Sequence, residues 1–192
     1  MRGRPIEQSY GRSEQRTAAG GPSQGARKLA RRASGRLAMS VDISEITGIT
    51  FPTGGDAITL LPTGFEKSPD SREYHSNTIS FAKFARGQLD LRYLSEPETL
   101  LEQRSEDWFG PIMLLTDQLV RDHPLIISII CGVISNYLFA LYKTKPKPEV
   151  RLTLICEKSS TSTYVQVNYK GDIEGLSALQ EVVRKSIESG SA

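Results

Sequence analysis

Alternation of apolar and polar positions is plainest in the last third of the chain. Val150, Leu152, Leu154 and Cys156 fall on one side of an extended segment, with Arg151, Thr153 and Glu157 mostly on the other. After the polar stretch Ser159 to Ser162, Val165, Val167 and Tyr169 alternate with Gln166 and Asn168. The pattern predicts an antiparallel hairpin. Gly171-Asp172 breaks it, and Leu176, Leu179, Val183 and Ile187 then recur at helical spacing, with Arg184 and Lys185 near the carboxyl end where cations complement the helix dipole.

Earlier segments carry shorter patterns. Val41 and Ile43 alternate, Ile46 and Ile49 follow, and Pro52-Thr53-Gly54-Gly55 is a turn signal before a second short strand from Asp56 to Leu61. These two strands read as a hairpin. Ile79 and Phe81, then Leu89, Leu91 and Tyr93, alternate on either side of Arg86-Gly87-Gln88 and read as a second hairpin. Ser95-Glu96-Pro97-Glu98 has capping-box spacing and predicts a short helix ending before Gly110-Pro111. Ile112, Leu115, Leu119 and Val120 form an apolar stripe over Pro111 to Arg121 and predict another helix, after which Pro124 restarts the chain.

From Pro124 to Tyr142 runs PLIISIICGVISNYLFALY, without one charge. A membrane span needs about 20 mainly apolar residues, so length alone leaves two readings: a helix buried in a soluble core, which is preferred, or an anchor over residues 124–142. Ser128, Gly132, Ser135 and Asn136 share one helical face, small enough for close approach by another element. They are the expected helix-packing residues, with Asn136 buried and hydrogen-bonded. Strands, helices, strands and a closing helix in that order give an α+β fold: antiparallel hairpins packed with an apolar central helix and a C-terminal amphipathic helix.

Charge divides the chain in two. Residues 1–38 hold nine Arg or Lys against two Glu, net +7, and residues 39–192 hold fifteen against twenty, net −5. The first part is rich in Gly, Ser, Gln and Arg and lacks apolar periodicity, which predicts a disordered basic N-terminal extension ahead of a single domain over 39–192. Three roles are open for it. ARKLARRASGRLA could be an Arg-rich transit peptide, the tail could make weak contact with nucleic acid or anionic lipid, or it could be an extension ahead of a start at Met39. The last is preferred, because Met39 opens the first β-like stretch.

Candidate chemistry is sparse. Cys131 and Cys156 form no CxxC pair and read as small buried hydrophobes. His75, in a polar loop near Asp70 and Glu73, could supply one corner of a metal site, although a solvated loop is the better reading. No phosphate-binding loop, nucleophile elbow or zinc-protease helix occurs, so no catalytic, cofactor-binding or metal-ligating residue is assigned. Glu106-Asp107-Trp108-Phe109 reads as a helix start whose aromatics dock on the core, with Trp108 and Phe109 as a partner-binding patch in the alternative.

The order of GVISNYL, a Pro-containing connector, a hairpin and a closing GDIEGL helix resembles short bacterial proteins that carry no assigned activity, and the resemblance implies no function. The expected role is therefore a non-enzymatic binding or adaptor module in the cytoplasm that engages a protein partner. The alternatives are a small protein anchored in a membrane by residues 124–142, and an enzyme of unrecognised type.

Overall fold

The computed structural model describes residues 27–31, 39–51, 55–68, 70–102, 106–144, 146–158 and 163–188. In chain order these form β1 (Arg27–Arg31), β2 (Met39–Ile46), β3 (Ile58–Leu61), β4 (Glu73–His75), α1 (Ser76–Ala85), β5 (Leu91–Tyr93), β6 (Thr99–Leu101), β7 (Trp108–Leu115), α2 (Asp117–Asp122), α3 (Ile126–Leu141), β8 (Val150–Lys158), β9 (Thr163–Gly171) and α4 (Leu176–Glu188). Seven strands make one mixed sheet in the order β1-β2-β9-β8-β7-β3-β5, and β4 pairs with β6 in a separate small sheet. The protein is α+β.

The C-terminal pattern folds as its alternation requires. β8 and β9 pair antiparallel from Val150↔Gly171 to Lys158↔Thr163. Val150, Leu152, Leu154 and Cys156 of β8 join Val165, Val167 and Tyr169 of β9 in one buried cluster. Onto that face pack Phe81 and Ala85 of α1, Leu176, Leu179 and Val183 of α4, and Ile127, Ile130, Cys131, Ile134 and Leu138 of α3. Burial at three- and four-residue steps marks the inner stripe of α3. A smaller cluster of Phe51, Leu61, Phe65, Leu114, Ile155 and Tyr164 covers part of the opposite face.

Elsewhere the pairing departs from expectation. β2 and β3 form no hairpin with one another: β2 pairs with β9 and β1, whereas β3 pairs with β7 and β5. The expected hairpin around Gly87 is a helix followed by a strand, because Thr78, Phe81 and Ala85 are the buried positions and their spacing is helical. Gly87 is the link, at φ +88°. The capping-box segment forms no helix. Its continuation Thr99–Leu101 pairs parallel with Glu73–His75 as β6.

The stripe from Ile112 to Val120 also divides. Trp108–Leu115 is the sheet-central β7, and only Asp117–Asp122 is helical, capped by the Thr116 hydroxyl, which accepts from Leu119 N at 3.2 Å. Pro111 tolerates a central strand because the β7/β8 register shifts between Phe109 and Ile112. Within the segment expected to lack structure, Arg27–Arg31 pair antiparallel with β2 at the sheet edge. The rest of residues 1–38 lies outside the described residues.

Helix α3 forms where the apolar run predicts it, but with the opposite orientation of its small residues. Gly132 and Asn136 are exposed, Ser128 and Ser135 are half-buried, and a Cβ placed on Gly132 would meet nothing within 4 Å. These four are not the packed face, and Asn136 is not buried. The large aliphatic residues take the inner side because they remove more apolar area from water. Among the described residues no helix is long and apolar enough to cross a membrane.

Candidate functional site

Strand β5 lies at one end of the main sheet, so among the described residues one of its edges has no strand partner. Its other edge is fixed. Ile58 N donates to Asp90 O and Leu94 N donates to Leu60 O, both at 2.9 Å. In a parallel pair the N–H and C=O of one residue point the same way, and successive residues alternate. With Asp90 and Leu94 turned toward β3, Leu91 and Tyr93 present their backbone groups to the open edge.

Beside this edge runs an open cleft of about 860 Å³. One wall is the carboxyl end of α1 and its Gly87 turn, held by Gln88 N and Leu89 N donating to Ala85 O at 2.9 and 3.0 Å. The other is the Glu96-Pro97-Glu98 segment leading into β6. Ser95 anchors the start of that wall: its hydroxyl donates to Ser71 O at 2.7 Å, and the buried Tyr74 hydroxyl donates to Ser95 O at 3.0 Å. Arg72 clamps the far side through an ion pair to Glu98.

Ile79, Ala82, Leu91 and Leu100 supply apolar surface in the cleft, and Leu100 is an exposed large hydrophobic. Charges of both signs line it as well: Lys83 and Arg86 from the α1 side, Asp90 and Glu96 from the other. Burial raises the pKa of the Tyr93 phenol, and neighbouring Tyr74 adds to the rise while Arg86 opposes it. Tyr93 therefore stays protonated at neutral pH and can donate or accept a hydrogen bond. None of the lining residues is His, Cys or Ser. The cleft provides an apolar surface, a charged margin and two residues' worth of backbone edge.

None of the candidate site residues assigned from sequence lies in this cleft. Trp108 is 0 % exposed and cannot touch a partner, which corrects its assignment to a binding patch. Its ring packs edge-on to Phe81 and tilted on Tyr137 at centroid separations of 6.4 and 6.1 Å. Phe109, adjacent on β7, points to the other side of the sheet and is half-buried. The Arg151 guanidinium stands 4.9 Å over its ring and the His75 ring lies 5.7 Å away. Arg151 is in turn tied to Asp107 at 2.9 Å and Glu149 at 3.1 Å. His75 ends β4 and caps α1 through its backbone; burial lowers its pKa against a smaller opposing effect of Glu73.

The cysteines behave as their burial dictates. Both are buried, and desolvation pushes Cys131 up to about 11 and Cys156 up to about 12. Only a thiolate attacks a disulfide reagent. At pH 8 the native protein is expected to consume almost no dithionitrobenzoate over minutes and two equivalents after unfolding in urea. Rapid labelling of either thiol in the folded state would mean that the packing against it opens readily.

The cleft was hidden from sequence by the misassignment of Ile79–Tyr93. Read as a hairpin, that segment has its two strands paired with each other and no helix beside β5 to form a cleft wall. The one available signal was Phe81 and Ala85 at helical spacing before Gly87. Comparison with protein-family models, with curated proteins and with solved structures finds no match to this chain.

Proposed function

We propose that this protein is a binding module that takes up an extended segment of a partner protein in the cleft beside β5. The observation that carries the reading is the coincidence of a strand edge unpaired among the described residues with an open, mixed-charge cleft of about 860 Å³. Sheet edges are normally short, covered or blocked, because free N–H and C=O groups invite pairing. Here the edge is short, and beside it lies the open cleft of about 860 Å³. The partner segment would pair with the backbone of Leu91 and Tyr93, lay alternate apolar side chains against Ile79, Leu91 and Leu100, and carry one acidic and one basic side chain for the opposed charges of the margin. Backbone pairing gives affinity, and the side-chain positions give selectivity.

Leu91→Pro separates this role from folding. The Leu91 N–H faces the open edge, so proline there removes a donor to the incoming segment without breaking the pairing with β3. With peptides selected from a random display library on the intact chain, the variant is expected to bind about tenfold or more weakly. Its far-UV circular dichroism and melting curve should stay close to those of the parent. Unchanged affinity, or selected peptides that map to another surface, would reject the reading.

A further inference from the structure

The outer face of α3 is chemically unusual for a surface helix. Such helices ordinarily turn charged residues to water, yet α3 contains none. Leu125 is 65 % exposed, Ile129 45 % and Phe139 46 %, with exposed Gly132, Asn136 and Ala140 between them. Phe84 of α1, 5.1 Å from the Tyr137 ring, and Leu141 widen the patch.

We infer that this face is covered by a second copy of the same chain, with the two α3 helices antiparallel and a twofold axis passing opposite Gly132. The pattern along the face is symmetric about that glycine. A twofold axis brings together residues equally far before and after it. Leu125 and Phe139 stand seven positions on either side, so each Leu125 meets the other copy's Phe139, whose ring already carries the Lys147 ammonium 4.9 Å from its centroid. Ser128 and Asn136 stand four positions on either side, so hydroxyl meets amide. Gly132 meets itself at the crossing, where the absence of a side chain lets the backbones approach closely.

The flanking charges agree with this arrangement. Exposed Asp122 precedes the helix and exposed Lys143 follows it, one pair at each end of an antiparallel couple. Arg121 is occupied by Asp117 at 2.7 Å. A parallel pair would instead set Asp122 on Asp122 and Lys143 on Lys143. The helix is 16 residues long, about 24 Å by about 10 Å across, so its face offers roughly 240 Å², small against the roughly 800 Å² per partner of a standard interface. The association is therefore weak and concentration-dependent.

Sedimentation velocity of the full chain from about 1 to 300 µM should show a shift from monomer toward dimer. Ile129→Asp, at an exposed position, should remain monomeric throughout with an unaltered circular dichroism spectrum. Asp122→Lys should weaken the dimer and Asp122→Lys with Lys143→Asp should restore it. Under mild oxidation Gly132→Cys should cross-link to itself, whereas Asn136→Cys, offset by about 12 Å from its own symmetry mate, should not. A monomer at every concentration, a dimer indifferent to Ile129→Asp, or equal cross-linking at both cysteines would overturn the inference. So would flotation of the parent with phosphatidylserine vesicles that Ile129→Asp abolishes, since the face would then dock on a membrane. None of these outcomes bears on peptide binding at β5, so the two proposals stand or fall separately.

Discussion

Trp108→Ala is expected to destabilise the protein by about 3 to 5 kcal/mol, the range for emptying the site of a large aromatic in a packed core. Trp108 opens the central strand β7, pairs across to Val150, and lies beneath Phe81 of α1 and Tyr137 of α3. Few side chains join one strand to two helices in this way. The site also collapses poorly, because the neighbouring rings are themselves braced and the sheet backbone beneath is fixed. Among the described residues the indole Nε1 is buried without a hydrogen-bond partner, and a donor left so costs stability. Trp108→Phe removes that donor along with some volume, and its cost should be clearly smaller, about 1 to 2 kcal/mol. Urea unfolding followed by far-UV circular dichroism measures both, since the only tryptophan is lost in each variant. An alanine cost no larger than that of phenylalanine would mean that the ring is not wedged as the structure shows.

Ile134→Asp is expected to leave no folded protein at 25 °C. Ile134 is fully buried on the inner stripe of α3 among apolar side chains of the core. A carboxylate placed there must either shed its hydration or take up a proton, at a cost of several kcal/mol on top of the lost apolar burial. A domain of this size has a total stability of about 5 to 15 kcal/mol. Ile129→Asp, five residues earlier and turned outward, should melt within a few degrees of the parent at concentrations where the chain is monomeric. One helix thus offers an internal control in which the same substitution has opposite consequences on its two faces. If Ile134→Asp folds cooperatively, α3 is not held against the sheet.

How far the sequence was legible depended on how many periods each element contains. β8 and β9 each run through nine residues and α4 through thirteen, so alternation and helical recurrence repeat often enough to be read directly. α1 and β5 between them offered Ile79, Phe81, Leu89, Leu91 and Tyr93, whose odd spacing suits a strand, while the helical set Thr78, Phe81 and Ala85 included a polar member that draws no attention. β3, with all four residues buried, has no alternation to read, and its non-local partner β7 is not marked in its own sequence. In β7, Trp108, Met113 and Leu115 face the helices, but Gly110 and Pro111 shift the register between them. That bulge erased the period-two pattern and left a spacing close to helical.

The small residues of α3 misled for a different reason. Small size permits close approach but does not say from which side. Only the competition for the interior, won by Ile127, Ile130, Ile134 and Leu138, determines which side turns outward. The cleft lay beyond reach because it depends on an edge, and an edge is defined by the partner a strand lacks.

The strand order has a consequence for synthesis. β2 is made early, yet Val41 pairs with Tyr169 and Ile43 with Val167, so β2 waits for nearly the whole chain before its main partner exists. β7, which holds β3 in place, pairs with β8 from beyond the apolar helix. The growing polypeptide must therefore carry β2 without β9, β7 without β8 and an exposed greasy segment until the closing hairpin leaves the ribosome. A nascent chain stalled anywhere before residue 171 should bind holding chaperones, and release from them should coincide with emergence of β9. A stop codon at the start of β9, which removes that strand together with α4, should send the product to proteolysis.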